Sequence, residues 1–147
     1  MKNNVSIKLV FVFVIFLSGI KSFGQNPENW TQSQLMQPAD LAKAIGSGKD
    51  IPAIFCVGPK AYIPGSVFTG MSKDKDKLDK LKNELKNLPK DKKIVVYCGC
   101  CPFDHCPNVR PAIQTLKDMK FTNYFLLNLV KNIKVDWIDK GYPVLSE

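Results

Sequence analysis

The residues able to do chemistry in this 147-residue chain are concentrated in one short window, positions 98–110. The chain has five cysteines, one histidine and a single arginine among its 21 basic residues. Most of these rare residues share the window: Cys98, Cys100, Cys101, His105, Cys106 and Arg110. Thiolates act as nucleophiles and metal ligands, and guanidinium groups bind anions. A histidine-containing triad is therefore possible only around His105, and a multi-arginine phosphate clamp is excluded.

The sequence around Cys98 predicts a nucleophilic cysteine. Residues 93–98 are rich in β-branched side chains and predict a strand that ends at the cysteine, and a helix is predicted over 108–120. Ligands gather at the carboxyl ends of strands in open α/β sheets, and the free amides of a helix start favour an anion or a thiolate. Such a setting lowers a thiol pKa from its free value of about 8.5. Arg110, in the first turn, adds a fixed positive charge.

Alternating strands and helices are predicted to position this window. Apolar runs bounded by turn residues predict strands, and apolar residues at helical spacing predict helices. The predicted strands cover 51–57, 93–98 and 124–127, the predicted helices cover 38–45, 74–88, 108–120 and about 130–137, and 63–66 is a predicted turn. This alternation predicts an α/β fold with a mostly parallel sheet and helices on both faces.

The first 24 residues have the pattern of a signal peptide. A basic start precedes an apolar run, and small residues lie before Gln25. The run is shorter than the roughly 20 residues of a spanning helix, although an uncleaved anchor is the alternative. We expect a signal peptide at 1–24, a lead at 25–35 and one domain at 36–147. After cleavage the mature protein would be periplasmic or secreted, without a membrane contact. Disulfides persist in such oxidising compartments.

The charge pattern argues against nucleic acid as a partner. The net charge is +8, but the surplus is almost entirely lysine, and three of these lysines lie in the predicted signal peptide. Elsewhere lysine alternates with acidic residues, as over 73–77, which is typical of a solvated helix face. Nucleic-acid-binding proteins usually cluster arginine and lysine on one surface.

Four segments, in order, resemble the rhodanese-like sulfurtransferase family. Residues 63–66 (Ile-Pro-Gly-Ser) resemble its His-Ile-Pro-Gly-Ala segment, and 93–99 resemble its strand ending in the active cysteine. Residues 110–112 (Arg-Pro-Ala) resemble the Arg-Ser-Ala of its next helix, and 137–144 resemble its Trp-x-x-x-Gly-hydrophobic-Pro-Val ending. The resemblance covers about residues 36–146 and implies a rhodanese-like three-layer α/β fold.

The resemblance also implies persulfide chemistry. Cys98 would attack a sulfane sulfur, carry it as a persulfide and pass it to cyanide or a thiol, with Arg110 and the loop amides holding the negative charge. Gly99 and His105 would belong to the substrate loop. The implied partners are a small sulfur-containing substrate or thiol acceptor, and a redox partner protein is a further option. Neither a cofactor nor a metal is expected for this chemistry.

Three positions depart from the family pattern. Eleven residues separate Cys98 from Arg110, more than in the family's loop. The family's Asp-Val-Arg strand end is replaced by Cys56-Val57-Gly58, which removes charges and adds a thiol. Tyr62 replaces the histidine that precedes Ile-Pro-Gly. These departures keep open an alternative function, a non-enzymatic or redox thiol- or metal-binding module on the same fold.

The remaining thiols allow several roles. A disulfide between Cys101 and Cys106 would staple the long loop. Alternatively, Cys100, Cys101 or Cys106 would resolve an oxidised or persulfidated Cys98 by closing a disulfide with it. A third option is metal binding by four nitrogen and sulfur ligands, Cys98, Cys101, His105 and Cys106. Cys56, in an apolar strand, is predicted to be an inert core thiol, with participation as the alternative because its strand ends on the same rim as Cys98.

Overall fold

A computed structural model of the protein describes residues 30–146, so the predicted signal peptide lies outside the described residues. Among the described residues, no helix is both long enough and apolar enough to cross a membrane. The strands are β1 (Leu35–Met36), β2 (Ala53–Cys56), β3 (Ser66–Phe68), β4 (Ile94–Tyr97) and β5 (Tyr124–Leu127). The helices are α1 (Pro38–Ser47), α2 (Lys75–Leu85), α3 (Val109–Asp118) and α4 (Ile133–Asp136). Short 3₁₀ turns occur at Gln32–Gln34, Phe103–His105 and Ile138–Lys140.

The five strands form one parallel sheet in the order β1-β5-β4-β2-β3. β4 is the central strand, paired with β2 over all four residues and with β5 over residues 94–96. All four residues of β4 are buried, as expected for a strand covered on both faces. The residue that follows β4 therefore leaves the sheet at the middle of its carboxyl rim, where ligands of such folds bind.

The helices cover the two faces of the sheet in pairs. On one face α2 and α3 supply Leu81, Leu85, Ile113 and Leu116 to a core that also contains Val96. The opposite face is covered by α1 and α4. Its core includes Leu41, Ile54, Val95, Ile133 and Trp137. Because side chains alternate along a strand, neighbouring residues of β2 and β4 belong to different cores. The three-layer α/β architecture predicted from the sequence is confirmed.

Two local predictions differ from the structure. The predicted turn at 63–66 leads directly into β3, a strand of three residues that the sequence pattern did not identify. The last predicted helix begins only at Ile133, because the Asn132 side-chain oxygen accepts a hydrogen bond from Val135 N–H at 3.0 Å and caps the helix there. Val130, predicted to lie on the inner helix face, is therefore outside the helix and 60% exposed.

Candidate functional site

Cys98 immediately follows β4, and its thiol lies on the face covered by α2 and α3, where it is 4% exposed. The neighbouring strand end presses against it. A Cβ atom at Gly58 would lie 2.1 Å from the Cys98 carbonyl oxygen and 2.9 Å from Cys98 Sγ. Only glycine allows these two strand ends to approach so closely.

Gly99 turns the chain sharply away from the sheet. Its φ angle is +87°, in the left-handed region that favours glycine. The Gly99 carbonyl accepts a hydrogen bond from Ile133 N–H at 2.9 Å, and a Cβ at this position would lie 3.0 Å from Ile133 Cβ. Gly99, predicted as a substrate-loop residue, thus anchors the start of the loop against α4.

The loop brings three thiols together. Cys98 Sγ and Cys100 Sγ are 3.2 Å apart, and the Sγ atoms of Cys98, Cys100 and Cys106 all lie within 4.8 Å of one another. Cys101 Sγ is 3.4 Å from Cys100 Sγ, at the margin of this group. We call Cys98, Cys100 and Cys106 the thiol cluster. Cys98 and Cys106 are buried, whereas Cys100 is exposed.

All five cysteines are free thiols in the structure. The Cys101–Cys106 disulfide, one of the three roles that the sequence left open, is therefore absent from this structure. Cys106 is directed toward Cys98, with which its thiol forms a hydrogen bond, whereas Cys101 contacts Cys100. The two residues face different partners, so the loop is held by other contacts. One of them is the hydrogen bond from Phe103 N–H to the Leu129 carbonyl, at 3.2 Å.

Cys106, not Cys98, interacts with the free amides at the start of α3. The backbone N–H groups of Asn108 and Val109 bind the Cys106 sulfur and act to lower its pKa. The hydrogen bond to Cys98 and burial outweigh them, so the pKa of Cys106 is raised. The sequence predicted Cys98 in this position. The long loop instead places Cys106 ahead of the helix, three residues before α3 begins at Val109.

Cys98 is the thiol of the cluster that ionises most readily. Its pKa is lowered to about 5, chiefly by the Cys106 thiol, and burial opposes this effect. The Cys100 backbone amide, the Cys100 thiol and the Asn108 side chain add smaller stabilising contributions. The pKa of Cys100 rises to about 12, because burial and the neighbouring Cys98 and Cys101 sulfurs disfavour its thiolate. One negative charge is thus concentrated on Cys98.

Asn108 is a site residue that the sequence analysis missed. It is buried, and its side-chain amide donates to Cys98 Sγ at 3.4 Å while its Oδ1 accepts from Lys73 N–H at 3.2 Å. The Ser72 hydroxyl donates to the Asn108 carbonyl. Asn108 therefore joins the reactive sulfur to the segment before α2. Its position next to a predicted helix start was the available signal, but that position predicts a cap, not a thiol contact.

The polar part of the loop lies at the surface. His105 Nδ1 is 2.8 Å from Asp104 Oδ1, and the two side chains are 74% and 46% exposed. The His105 hydrogen bond lowers the pKa of the Asp104 carboxyl. Arg110 Nη2 donates to the Asp104 carbonyl at 2.6 Å, which ties the loop to α3. Neither His105 nor Cys101 belongs to the group of ligands close enough to share one metal ion, which contains Cys100 in their place.

Cys56 lies on the opposite face of the sheet from Cys98. It is fully buried in the core that contains Trp137, and its thiol donates to the Lys60 carbonyl at 3.2 Å. Burial is the main cause that raises the pKa of Cys56. These contacts are those of an inert core thiol. Cys56 and Cys98 lie at the same rim of the sheet, but Cys56 is not part of the thiol cluster. Side chains alternate between the two faces along a strand, and that of Cys56 points to the other face.

Comparisons with known proteins support the fold. No family model matches the sequence, and no curated protein matches it. The solution structure of the rhodanese-like domain of the Alr3790 protein from Anabaena sp. is similar, with a TM-score of 0.56 and 17% identity over 78% of this chain and 80% of that one. The crystal structure of the Alr3790 protein from Anabaena sp. is also similar, with a TM-score of 0.55 and 17% identity over 76% and 91% of the two chains.

The similarity agrees with the parallel α/β architecture of this chain. At 17% identity it concerns the fold, and the enlarged thiol loop is a property of this chain. The chain accordingly has a rhodanese-like fold, and three neighbouring thiols lie in and beside the loop that follows its central strand.

Proposed function

We propose that the protein is a sulfurtransferase in which Cys98 carries a sulfane sulfur as a persulfide. One observation carries the proposal: Cys98 Sγ, at the carboxyl end of the central strand, is surrounded by hydrogen-bond donors from the Cys106 thiol, the Cys100 backbone and the Asn108 amide. Donors aimed at one sulfur stabilise its thiolate, which is the nucleophilic form of cysteine. The rhodanese-like fold supports the choice of sulfur chemistry.

The first half-reaction takes sulfur from an anionic donor such as thiosulfate. The Cys98 thiolate attacks the outer sulfur, a new Sγ–S bond forms, and the S–S bond of thiosulfate breaks. Sulfite leaves with the electron pair of the broken bond. The enzyme then holds a Cys98 persulfide with one negative charge, which the same donors stabilise.

In the second half-reaction the acceptor takes the outer sulfur. Cyanide, or a thiolate, attacks the terminal sulfur of the persulfide, and the Sγ–S bond breaks with its electron pair returning to Cys98. The products are thiocyanate, or a new persulfide, and the original Cys98 thiolate. No external oxidant or reductant is consumed, because the sulfane sulfur keeps its oxidation state as it moves between nucleophiles.

The surroundings of Cys98 suggest a route for the substrate. Gly58, which packs on Cys98, lines a cavity of about 210 Å³ together with Phe68, Met71 and Lys77. The cavity has apolar walls and one cationic side chain, which suits a small anion. Arg110 remains our second catalytic candidate. Its hydrogen bond to the Asp104 carbonyl holds a fixed positive charge in the first turn of α3.

A thiosulfate–cyanide assay on metal-free, reduced protein tests the proposal. We expect wild-type protein to form thiocyanate and Cys98→Ser to form none, because serine lacks the sulfur that carries the group. Cys56→Ser is the matched control and should retain transfer, since its thiol lies on the opposite face. Incubation with thiosulfate alone should add the mass of one sulfur atom to the peptide that contains Cys98. Transfer by Cys98→Ser at the wild-type rate would contradict the proposal.

A further inference from the structure

The proposed sulfur transfer requires one thiol, yet the loop assembles three whose sulfur atoms share a space only 4.8 Å across. We propose that Cys98, Cys100 and Cys106 form a three-sulfur site for a soft monovalent metal ion, Cu(I). The inference goes beyond sulfur transfer, in which Cys98 alone carries the sulfur and its neighbours only donate hydrogen bonds. It rests on the placement of the sulfur atoms and on the groups that surround them.

The sulfur positions are close to those that one ion requires. Metal–thiolate bonds of about 2.3 Å place three ligand sulfurs roughly 3.8–4.0 Å apart. The Cys98–Cys100 separation of 3.2 Å is slightly shorter, and every separation in the cluster lies within 4.8 Å. Shifts below about 1 Å would therefore open the cluster around an ion. Cys100 is exposed, whereas Cys98 and Cys106 are buried, so the surroundings leave most space for the Cys100 side chain to shift.

The ligand set favours Cu(I) over Zn(II). Thiolates are soft ligands that suit Cu(I) and zinc, but structural zinc sites use four ligands in a tetrahedron. Among the described residues, the only group of neighbouring ligands close enough to share an ion contains three thiols and no histidine or carboxylate. His105, the chain's single imidazole, is hydrogen-bonded to Asp104 at the surface. A zinc ion would therefore lack its fourth protein ligand, whereas a three-sulfur arrangement satisfies Cu(I).

The hydrogen-bond donors around the cluster are suited to thiolate ligands. The backbone amides of Asn108 and Val109 donate to Cys106, and the Asn108 side chain donates to Cys98 at 3.4 Å. Donors of this kind orient metal ligands and disperse their charge, and they matter for affinity nearly as much as the ligands do. A purely structural trio of thiols would not require amides directed at two of its three sulfurs.

Binding changes protonation but not oxidation state. As three copper–sulfur bonds form, the protons still held by the three thiols are released to solvent, and copper enters and remains as Cu(I). The metal occupies Cys98 Sγ, the same atom that would attack the sulfur donor. Metal binding and sulfur transfer therefore exclude each other at this residue.

Anaerobic titration with Cu(I) in competition with a chromophoric Cu(I) chelator tests the site. We expect the reduced wild-type chain to take one equivalent, with an X-ray absorption spectrum of three sulfur neighbours and no nitrogen. Cys100→Ser, an exposed change, should raise the dissociation constant by more than about 100-fold, since even loss of an outer-shell partner costs 10–100-fold. Cys98→Ser and Cys106→Ser should do the same, with folding checked by circular dichroism.

Cys56→Ser and Cys101→Ser are the matched controls, because each removes a thiol outside the cluster, and both should bind like the wild type. Unchanged affinity in Cys100→Ser, or loss of binding in Cys101→Ser, would overturn the proposed ligand set. A Zn(II) affinity that exceeds the Cu(I) affinity would overturn the choice of metal. The titration uses no sulfur donor and the transfer assay uses no metal, so failure of one leaves the other standing.

Discussion

Cys56 and Cys98 lie at the carboxyl ends of two adjacent strands but have opposite chemistry. The register of β2 and β4 pairs Cys56 with Tyr97, so the two thiols differ by one residue along the rim. The Cys56 thiol donates a hydrogen bond to a backbone carbonyl and has a raised pKa. Cys98 accepts hydrogen bonds and has a lowered pKa. The same residue type, on the same rim, is a core thiol with a raised pKa in one place and a thiol with a lowered pKa in the other.

The difference arises from strand parity and from the following loop. The single-residue offset places the two thiols on opposite faces of the sheet, one beneath α1 and α4 and the other beneath α2 and α3. After β2 the Lys60 carbonyl accepts a hydrogen bond from the neutral Cys56 thiol. After β4 the chain supplies two further thiols and Asn108, which donate to a thiolate. Reactivity therefore follows from the groups around the sulfur and not from exposure, since both thiols are buried.

Alkylation of metal-free, reduced protein gives the largest expected contrast between the two thiols. Iodoacetamide reacts with thiolates, so the rate at Cys98 should rise through about pH 5 and remain level above it, as its lowered pKa requires. Cys56 should react only when the fold opens, which slows it by a factor of about 10³ or more. Peptide mapping by mass spectrometry measures both rates. Equal rates at neutral pH would remove the proposed contrast.

The second prediction concerns the close approach of Gly58, which follows β2, to Cys98, which follows β4. Gly58→Ala would place a Cβ 2.1 Å from the Cys98 carbonyl oxygen, a backbone atom that cannot move aside alone. We expect a loss of about 3 kcal/mol in the free energy of unfolding, as for severe overpacking, together with slower alkylation of Cys98. Denaturant unfolding measures the first effect and peptide mapping the second.

Gly46→Ala is the matched control for that substitution. Gly46 lies within α1, and a Cβ there would meet nothing within 4 Å. Alanine should therefore stabilise the protein by up to about 1 kcal/mol through helix propensity, with Cys98 reactivity unchanged. Wild-type stability in Gly58→Ala would show that the strand ends are not pressed together as described.

The fold was largely predictable because its long elements carry local patterns. The β-branched run at 93–98 contains β4, and the segment 124–127 coincides with β5. β1 and β3 were not predicted, because strands of two and three residues are too short to show alternation. Both are defined by pairing with distant strands: β1 with β5, and β3 with β2.

The site was predictable only in part. The position of Cys98 directly after a buried strand was predictable, because that signal is local. The choice of Cys100 over Cys101 as a neighbour of Cys98, and the contact of Asn108 with its sulfur, depend on how loop residues 99–107 fold back. That path is fixed by tertiary hydrogen bonds such as Phe103 to Leu129 and Ile133 to Gly99. The spacing of residues in the sequence does not predict these tertiary hydrogen bonds.

The smallest expected effect is that of Tyr97→Phe, which should change the stability of the protein without changing the reactivity of Cys98. Tyr97 precedes Cys98 in the chain, but its hydroxyl faces the Cys56 side, where it accepts from the backbone N–H groups of Tyr62 and Ile63 at 3.1 and 3.3 Å. The hydroxyl also lies 3.1 Å from Ser66 Oγ, and burial is the main cause that raises the Tyr97 pKa to about 12. Tyr97→Phe should lower the free energy of unfolding by about 1–2 kcal/mol, because these donors lose their buried partner.

The alkylation rate of Cys98 should remain unchanged in Tyr97→Phe, since the lost hydroxyl lies across the sheet from the thiol cluster. Tyr124→Phe is the control, because Tyr124 is half-buried and the described residues give its hydroxyl no hydrogen-bond partner. Its unfolding free energy should change by less than about 0.5 kcal/mol. Slower alkylation of Cys98 in Tyr97→Phe would mean that the two faces of the sheet are coupled through β4. The alkylation rate of Cys98 would then depend on the packing around Cys56 as well as on the loop that follows β4.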